Sequence, residues 1–468
     1  MRHILALLSG LVSSYAWACD ETPTGVDFHD EWLQFKMPRG LMPDPQFDGK
    51  PAKLELHRAR PVYANGKCPS VPTRVAVLIH GRTVTGSAAF DLRDANGGGE
   101  LSLQEALAWA GIESFAPSLL GYGHSTRFDE GLNDPCNASL PGVVNGVCPT
   151  PEVGCDFSPI PSTFPLNLQG TLLATNPLGQ ALCAHSSNSR FARMDVWVRD
   201  IRQVIDHAIE SAQPSDGKVV LLGYSLGGPR VGRTLYLLGA DASKQISRVV
   251  FLSSLFGLPL VAGTEETAPP GGFATYPLTV EPKIGPWPTA RTPEQDAACS
   301  GRVVPGSIDQ TWAQMMKEDS EGRSWGGDDP EHPAGLNRSP TFSNYGWNAQ
   351  VAATVSVPVL VMHGADDPIV LPRTASCNIY SSLPATVPKL LVQIACASHS
   401  ALVEGCSGAR CAGGAAYGAG PDGTWGGPHR TVQTAVIEWI QRGTFAGSAS
   451  GRFVVDESGA AQPGTLCP

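Results

Sequence analysis

The stretch "VVLLGYSLGG" (219–228) ends an apolar run on a serine set between glycines. The spacing Gly223-x-Ser225-x-Gly227 permits a turn too tight for side chains on either side, and such a turn lifts a hydroxyl clear of the backbone. A serine hydroxyl is a weak nucleophile, so the chemistry it suggests requires an imidazole to take its proton and a carboxylate to orient that imidazole. Downstream, "PVLVMHGADDPIV" (358–370) offers two adjacent carboxylates. Asp367 is preferred over Asp366 because it occupies the G-x-x-D position and Pro368 fixes the turn after it. "KLLVQIACASHSALVEG" (389–405) then offers His399 just beyond an apolar run, with His429 in "GGPHRTVQ" as its competitor. His429 begins a helical pattern, where packing or capping is its simpler role. The bland reading of Ser225 is a helix cap, and that of any one histidine is a satisfied structural group.

The elements needed to position these residues are legible as alternating periods. Short β-branched runs at 74–80, 112–120, 218–224, 248–254, 358–364 and 389–395 read as strands. Between them, 102–111, 194–212 and 226–240 carry helical spacing, and Val196, Ile201, Val204, Ile205, Ala208 and Ile209 share one face. A last helix follows at about 429–443. This alternation predicts a mostly parallel sheet covered by helices, with the runs at 31–36 and 52–60 as antiparallel strands at its edge. Ser225 falls directly after one strand and directly before one helix, as a nucleophile requires. Residues 126–190, rich in proline and holding Cys136, Cys148, Cys155 and Cys183, read as a disulfide-pinned insertion. Residues 255–355 read as a cap, with one helix in which Ile308, Trp312 and Met315 share a face.

These motifs, "HGRT" (80–83), "GYGHST" (121–126), "GYSLGG", "HGADDPIV" and "ASHSALVE" (397–404), give the chain its resemblance to serine hydrolases of the α/β-hydrolase superfamily, over about residues 72–254 and 356–443. The resemblance implies that fold for the core and carries no pattern onto 126–190 or 255–355, whose readings as insertion and cap rest on their composition. It also implies two-step acyl transfer by Ser225, His399 and Asp367, with the backbone N–H groups of Leu226 and Arg82 holding the oxyanion. His80 would shape the loop that carries Arg82. No cofactor or metal enters such a mechanism, and a serine at the turn excludes relatives that attack with a carboxylate. Trp312, Met315 and Met316 are candidates for the lining of a substrate pocket, or else for the cap's own small core.

Composition narrows the partners. A net charge of -10 without a basic run argues against nucleic acid and anionic membrane surfaces. The start "MRHILALLSGLVSSYAWA" reads as a secretory signal cleaved before Cys19, and no later run is long enough to span a bilayer. Twelve cysteines suit an oxidising compartment. Local bridges are expected for Cys406 with Cys411 and Cys377 with Cys396, and the four insertion cysteines are expected to pair among themselves. "DANGGGELSLQE" (94–105) approximates a calcium loop, yet Gly98 supplies no side-chain oxygen and the segment already leads into a helix, so no metal is assigned.

An exported esterase acting on small or medium-sized substrates is therefore the first expectation. A serine aminopeptidase or amidase is the second, with Glu265, Glu266, Asp328, Asp329 and Glu331 available to hold an ammonium group. A binding protein that kept the fold without activity is the third.

Overall fold

The computed structural model describes residues 19–41, 45–82, 84–93, 97–128, 194–258, 278–279, 299, 302–320, 323, 337–338, 345–406 and 426–468. Ten strands form one sheet: β1 (Gly25–Lys36), β2 (Pro51–Val62), β3 (Arg74–Ile79), β4 (Ile112–Ser118), β5 (Val219–Tyr224), β6 (Ile246–Leu252), β7 (Val359–Gly364), β8 (Lys389–Ile394), β9 (Gly451–Val455) and β10 (Ala461–Pro463). Their order is β1-β2-β4-β3-β5-β6-β7-β8-β9-β10. From β4 through β9 every neighbour is parallel, while antiparallel strands close both edges. The continuous apolar character of β5 and β7 follows from this position, since both are buried along their whole length between layers.

Helices cover the two faces. Among them are α1 (Gly86–Phe90), α2 (Leu103–Trp109), α3 (Met194–Ala212), α4 (Gly227–Leu238), α5 (Ser307–Glu318), α6 (Ser376–Ser382) and α7 (Pro428–Arg442). One apolar layer joins Val196, Ile201, Val204 and Ile205 of α3 to Val77, Ile79 and Leu221 of the sheet, with Trp347 and Ile379. The other joins Val432, Val436 and Trp439 of α7 to Leu78, Leu222 and Val392, with Leu103 and Leu107 of α2. The helical spacing read from the sequence is thus the spacing of the buried stripes. The strands β9 and β10 were not anticipated, because β9 has only five residues and is flanked by glycine-rich turns.

The disulfides correct one expectation. Cys377 bonds Cys467, and Cys396 bonds Cys299, so the expected Cys377–Cys396 bridge is wrong. Cys377 lies in the first turn of α6, whose Ile379 lies in the α3 layer, whereas Cys396 is followed by Ala397 in the α7 layer. The sheet separates the two sulfurs despite their closeness in sequence. Cys19 bonds Cys68. Cys406 is also disulfide-bonded. Cys411, the insertion cysteines and the signal segment lie outside the described residues.

The edge hairpin is anchored by a histidine between two carboxylates. His57 Nδ1 lies 2.6 Å from Asp30 and Nε2 2.9 Å from Asp91. Burial opposes its charge, but the hydrogen bonds and charges of Asp30 and Asp91 prevail and raise its pKa to about 9. A pKa raised above the unfolded value of 6.5 contributes stability that is complete below about pH 6.5 and is lost as pH rises through about 9. Screening at half-exposed Asp30 reduces the contribution to about 2 kcal/mol. His57→Gln should therefore lower the melting temperature by a few degrees at pH 6, and the gap should close by pH 10. A gap that is constant across this range would refute the linkage.

Candidate active site

The turn after β5 places Ser225 as its sequence suggests. Its φ is 53°, a left-handed value costly for a residue with a side chain and characteristic of strained functional turns. A Cβ at Gly223 would meet the backbone of Gly227 at 2.7 Å, and one at Gly227 would run into the carbonyl of Ile79, so neither position admits a side chain. The cap reading fails, because α4 is preceded by Leu226 with no side-chain cap. Instead the Ser225 hydroxyl lies 2.8 Å from His399 Nε2.

His399 Nδ1 lies 2.7 Å from Asp367 Oδ2, which completes a hydrogen-bonded row of hydroxyl, imidazole and carboxylate. The other oxygen of Asp367 accepts the backbone N–H groups of Ile369 and Val370, each at 2.9 Å. Burial disfavours the charge on Asp367, but hydrogen bonds from His363 and His399 outweigh it and hold the carboxyl well below the usual carboxylate range. Asp366 contributes its backbone N–H to Ala397 O at 3.0 Å and so ties the acid loop to the histidine loop. Asp367 is therefore the carboxylate brought to His399. His429 is buried elsewhere, with its Nδ1 2.8 Å from the carbonyl of Glu404.

The loop after β3 borders Ser225: a Cβ at Gly81 would stand 2.9 Å from that of Ser225. His80 organises this loop. Its Nε2 accepts the backbone N–H of Leu119 at 3.1 Å, so the proton resides on Nδ1, which donates to Gly81 O at 2.7 Å. Burial, then the charge of Arg230, depresses the His80 pKa to about 3, and the ring stays neutral. Because a trans peptide carries its C=O and N–H on opposite sides, the bond to Gly81 O turns the Arg82 N–H away from the ring. Arg230 Nη1 donates to His80 O at 3.3 Å from beneath. Leu226 stands at the N-terminus of α4, where amides have no intrahelical partner and the helix dipole is positive.

The histidine loop is held by residues the sequence did not single out. Buried Glu404 accepts the Ser398 N–H at 2.7 Å and also the Ser398 hydroxyl. Arg302 Nη1 lies 3.7 Å from Glu404, and Val303 pairs with Glu404 through an isolated β-bridge. Together with the Cys299–Cys396 bond, these contacts fix Cys299, Arg302 and Val303 against the loop carrying His399. A lone glutamate five residues past a histidine carries no local signal, and its arginine is a hundred residues upstream. The sequence signal for His363 is its i,i+4 relation to Asp367 across a glycine turn.

Trp312, Met315 and Met316 are buried on α5, in the apolar layer that includes Val84, Ala88, Leu402 and Val403. The calcium-like loop is committed to other bonds: Glu105 pairs with Arg93, and Ser102 accepts the Glu105 N–H at 2.9 Å as a helix cap. Residues 94–96 lie outside the described region, and among the described residues no group of His, Cys, Asp or Glu has the arrangement to hold a metal.

The chain belongs to the alpha/beta hydrolase fold family, which it matches over residues 77–405. It is similar in fold to a soluble variant of monoglyceride lipase from Saccharomyces cerevisiae, with 14% identity over 86% of this chain and 94% of that one and a TM-score of 0.40. It is also similar to 2-hydroxy-6-oxo-6-phenylhexa-2,4-dienoate hydrolase from Rhodococcus sp. strain RHA1, at 14% identity, 81% and 95% coverage and a TM-score of 0.38. A third is bromoperoxidase from Bacillus anthracis, at 15% identity, 75% and 90% coverage and a TM-score of 0.36. Comparison with curated proteins gives no match.

Proposed function

We propose that the chain is an exported serine hydrolase that cleaves carboxylic esters of small or medium size. The observation that carries this reading is the hydrogen-bonded row from Ser225 through His399 to Asp367. His399 Nε2 takes the Ser225 proton as the hydroxyl attacks the ester carbonyl, and the N–H groups of Leu226 and Arg82 receive the negative charge that forms on the carbonyl oxygen. His399 then gives the proton to the departing alcohol, which leaves an acyl group on Ser225. Water, deprotonated by the same imidazole, releases the acid and restores the hydroxyl. Asp367 keeps the proton of the resting imidazole on Nδ1 and supports the imidazolium.

Substrate size follows from the segment 255–355, which we take to be a cap. Its described part is cross-linked to the histidine loop by Cys299–Cys396 and the Arg302–Glu404 pair. A roof tethered in this way favours a closed pocket over a lid that opens at a lipid surface, with Trp312, Met315 and Met316 contributing apolar surface. The disulfides support export. Among the described residues no helix is long and apolar enough to cross a membrane. The acidic residues that would favour an aminopeptidase lie outside the described region, so no observation raises that reading above the esterase.

A panel of p-nitrophenyl esters of increasing acyl length, measured below and above their solubility limits, tests the proposal. Rates should peak at short or medium chains and show no rise on emulsified long-chain substrate. An abrupt rise at the emulsion point would instead identify a lipase, and cleavage confined to aminoacyl nitroanilides would identify a peptidase.

A further inference from the structure

Asp367 Oδ2 has two imidazole partners. His399 Nδ1 lies 2.7 Å away and His363 Nε2 lies 2.9 Å away. His363 projects from the end of β7 and is fully buried, and its Nε2 is also 2.7 Å from the carbonyl of Val370. A carbonyl can only accept, so Nε2 carries a proton shared between Val370 O and Asp367 Oδ2. The Nδ1 of the same ring is buried and has no hydrogen-bond partner among the described residues. Among the described residues the side-chain hydrogen bonds of the ring thus run to the acid loop alone. Val370 in turn gives its N–H to Asp367 Oδ1, so the strand end, the carboxylate and the far side of the loop close into one small network.

We propose that His363 is a positioning residue of the triad: it fixes Asp367 Oδ2 toward His399 and, by donating to the same oxygen, moderates the pull of that oxygen on the catalytic imidazole. This rests on the reading of Ser225, His399 and Asp367 as a catalytic triad. An anion shared by two donors offers less negative charge to each, so removing one donor concentrates charge on the bond that remains. Loss of His363 has two separable consequences. The carboxylate loses a rotational anchor, which costs turnover. The imidazolium form of His399 gains a stronger partner, which moves the acidic limb of the activity profile to higher pH.

The other titratable groups around this pair are already committed. Tyr224 on β5 donates its hydroxyl to His399 O at 3.0 Å, and burial, then Asp367 and Glu404, push its pKa far above the ordinary value. Glu404 is bound to Ser398 and faces Arg302. Asp366 is joined to the histidine loop through its backbone. Tyr224 therefore stays neutral in the range where the limb is read.

The test compares wild type, His363→Phe and His363→Gln on one soluble p-nitrophenyl ester across pH. The concentration of competent sites is counted by fluorophosphonate titration, so that misfolded protein does not enter kcat. His363→Phe should lose about 10- to 100-fold in kcat with KM changed less than about twofold, and its acidic limb should move upward. His363→Gln, which keeps an N–H donor at a similar reach, should recover most of kcat and return the limb. A titrated His363→Phe enzyme with wild-type kcat, or one with reduced kcat and an unmoved limb, would overturn the proposal. Failure of the underlying triad has a different signature, a wild-type enzyme that is not labelled at Ser225.

Discussion

Ser225→Ala should abolish ester turnover, with a fall in kcat of about 10⁶-fold, the scale found when the nucleophile of a serine protease triad is removed. The residual rate would come from binding and from the amides facing the carbonyl oxygen. His399→Ala should fall to a similar level, because hydroxyl and imidazole act as one unit through their 2.8 Å contact. The double variant should be scarcely worse than either single one. His429→Ala should keep most of the activity of its folded fraction, since that ring binds the Glu404 carbonyl and not the serine. Measuring kcat against the fraction of folded protein separates the two histidines. Additive losses in the Ser225→Ala, His399→Ala double variant would contradict a shared mechanism.

Asp367→Asn should cost about 10⁴-fold in kcat, by the loss of the correct imidazole tautomer. The network around this residue makes the substitution worse than a simple loss of charge. Both oxygens of Asp367 receive donors, Oδ1 from two backbone amides and Oδ2 from two histidines. An asparagine has only one oxygen. If that oxygen stays with the amides, its NH₂ faces the two rings and drives the His399 proton onto Nε2, where the ring can no longer accept from Ser225. If the amide flips, its NH₂ faces the N–H groups of Ile369 and Val370 and the loop is distorted. Asp366→Asn should leave turnover within a few-fold of wild type, because Asp366 engages the histidine loop through its backbone. A larger loss from Asp366→Asn than from Asp367→Asn would contradict the geometry. Since Asp367 is held ionised by its donors, loss of activity on mild acidification should not report this carboxylate.

The features legible in the sequence are those written in local period or short motif. The buried stripe of α3, the apolar runs of β5 and β7, and the glycines around Ser225 each show their cause within a few residues. The preference for Asp367 over Asp366 rested on turn chemistry, and the turn does aim that carboxylate at His399. What escaped notice depends on which face of the sheet a residue occupies or on partners far apart in the chain. Cys377 and Cys396 looked adjacent until the sheet came between them. Arg302 meets Glu404 across a hundred residues, and nothing near either one announces the other. His363 reads as the end of an apolar strand, and its importance emerges only once the turn folds Asp367 back onto it.

Labelling the protein with a fluorophosphonate and mapping the adduct by peptide mass spectrometry tests the central claim most directly. One adduct per chain is expected, on Ser225, formed rapidly by wild type and by His429→Ala and lost in His399→Ala. An unlabelled Ser225 in folded protein that still hydrolyses esters, or a stable adduct on a different residue, would contradict the account.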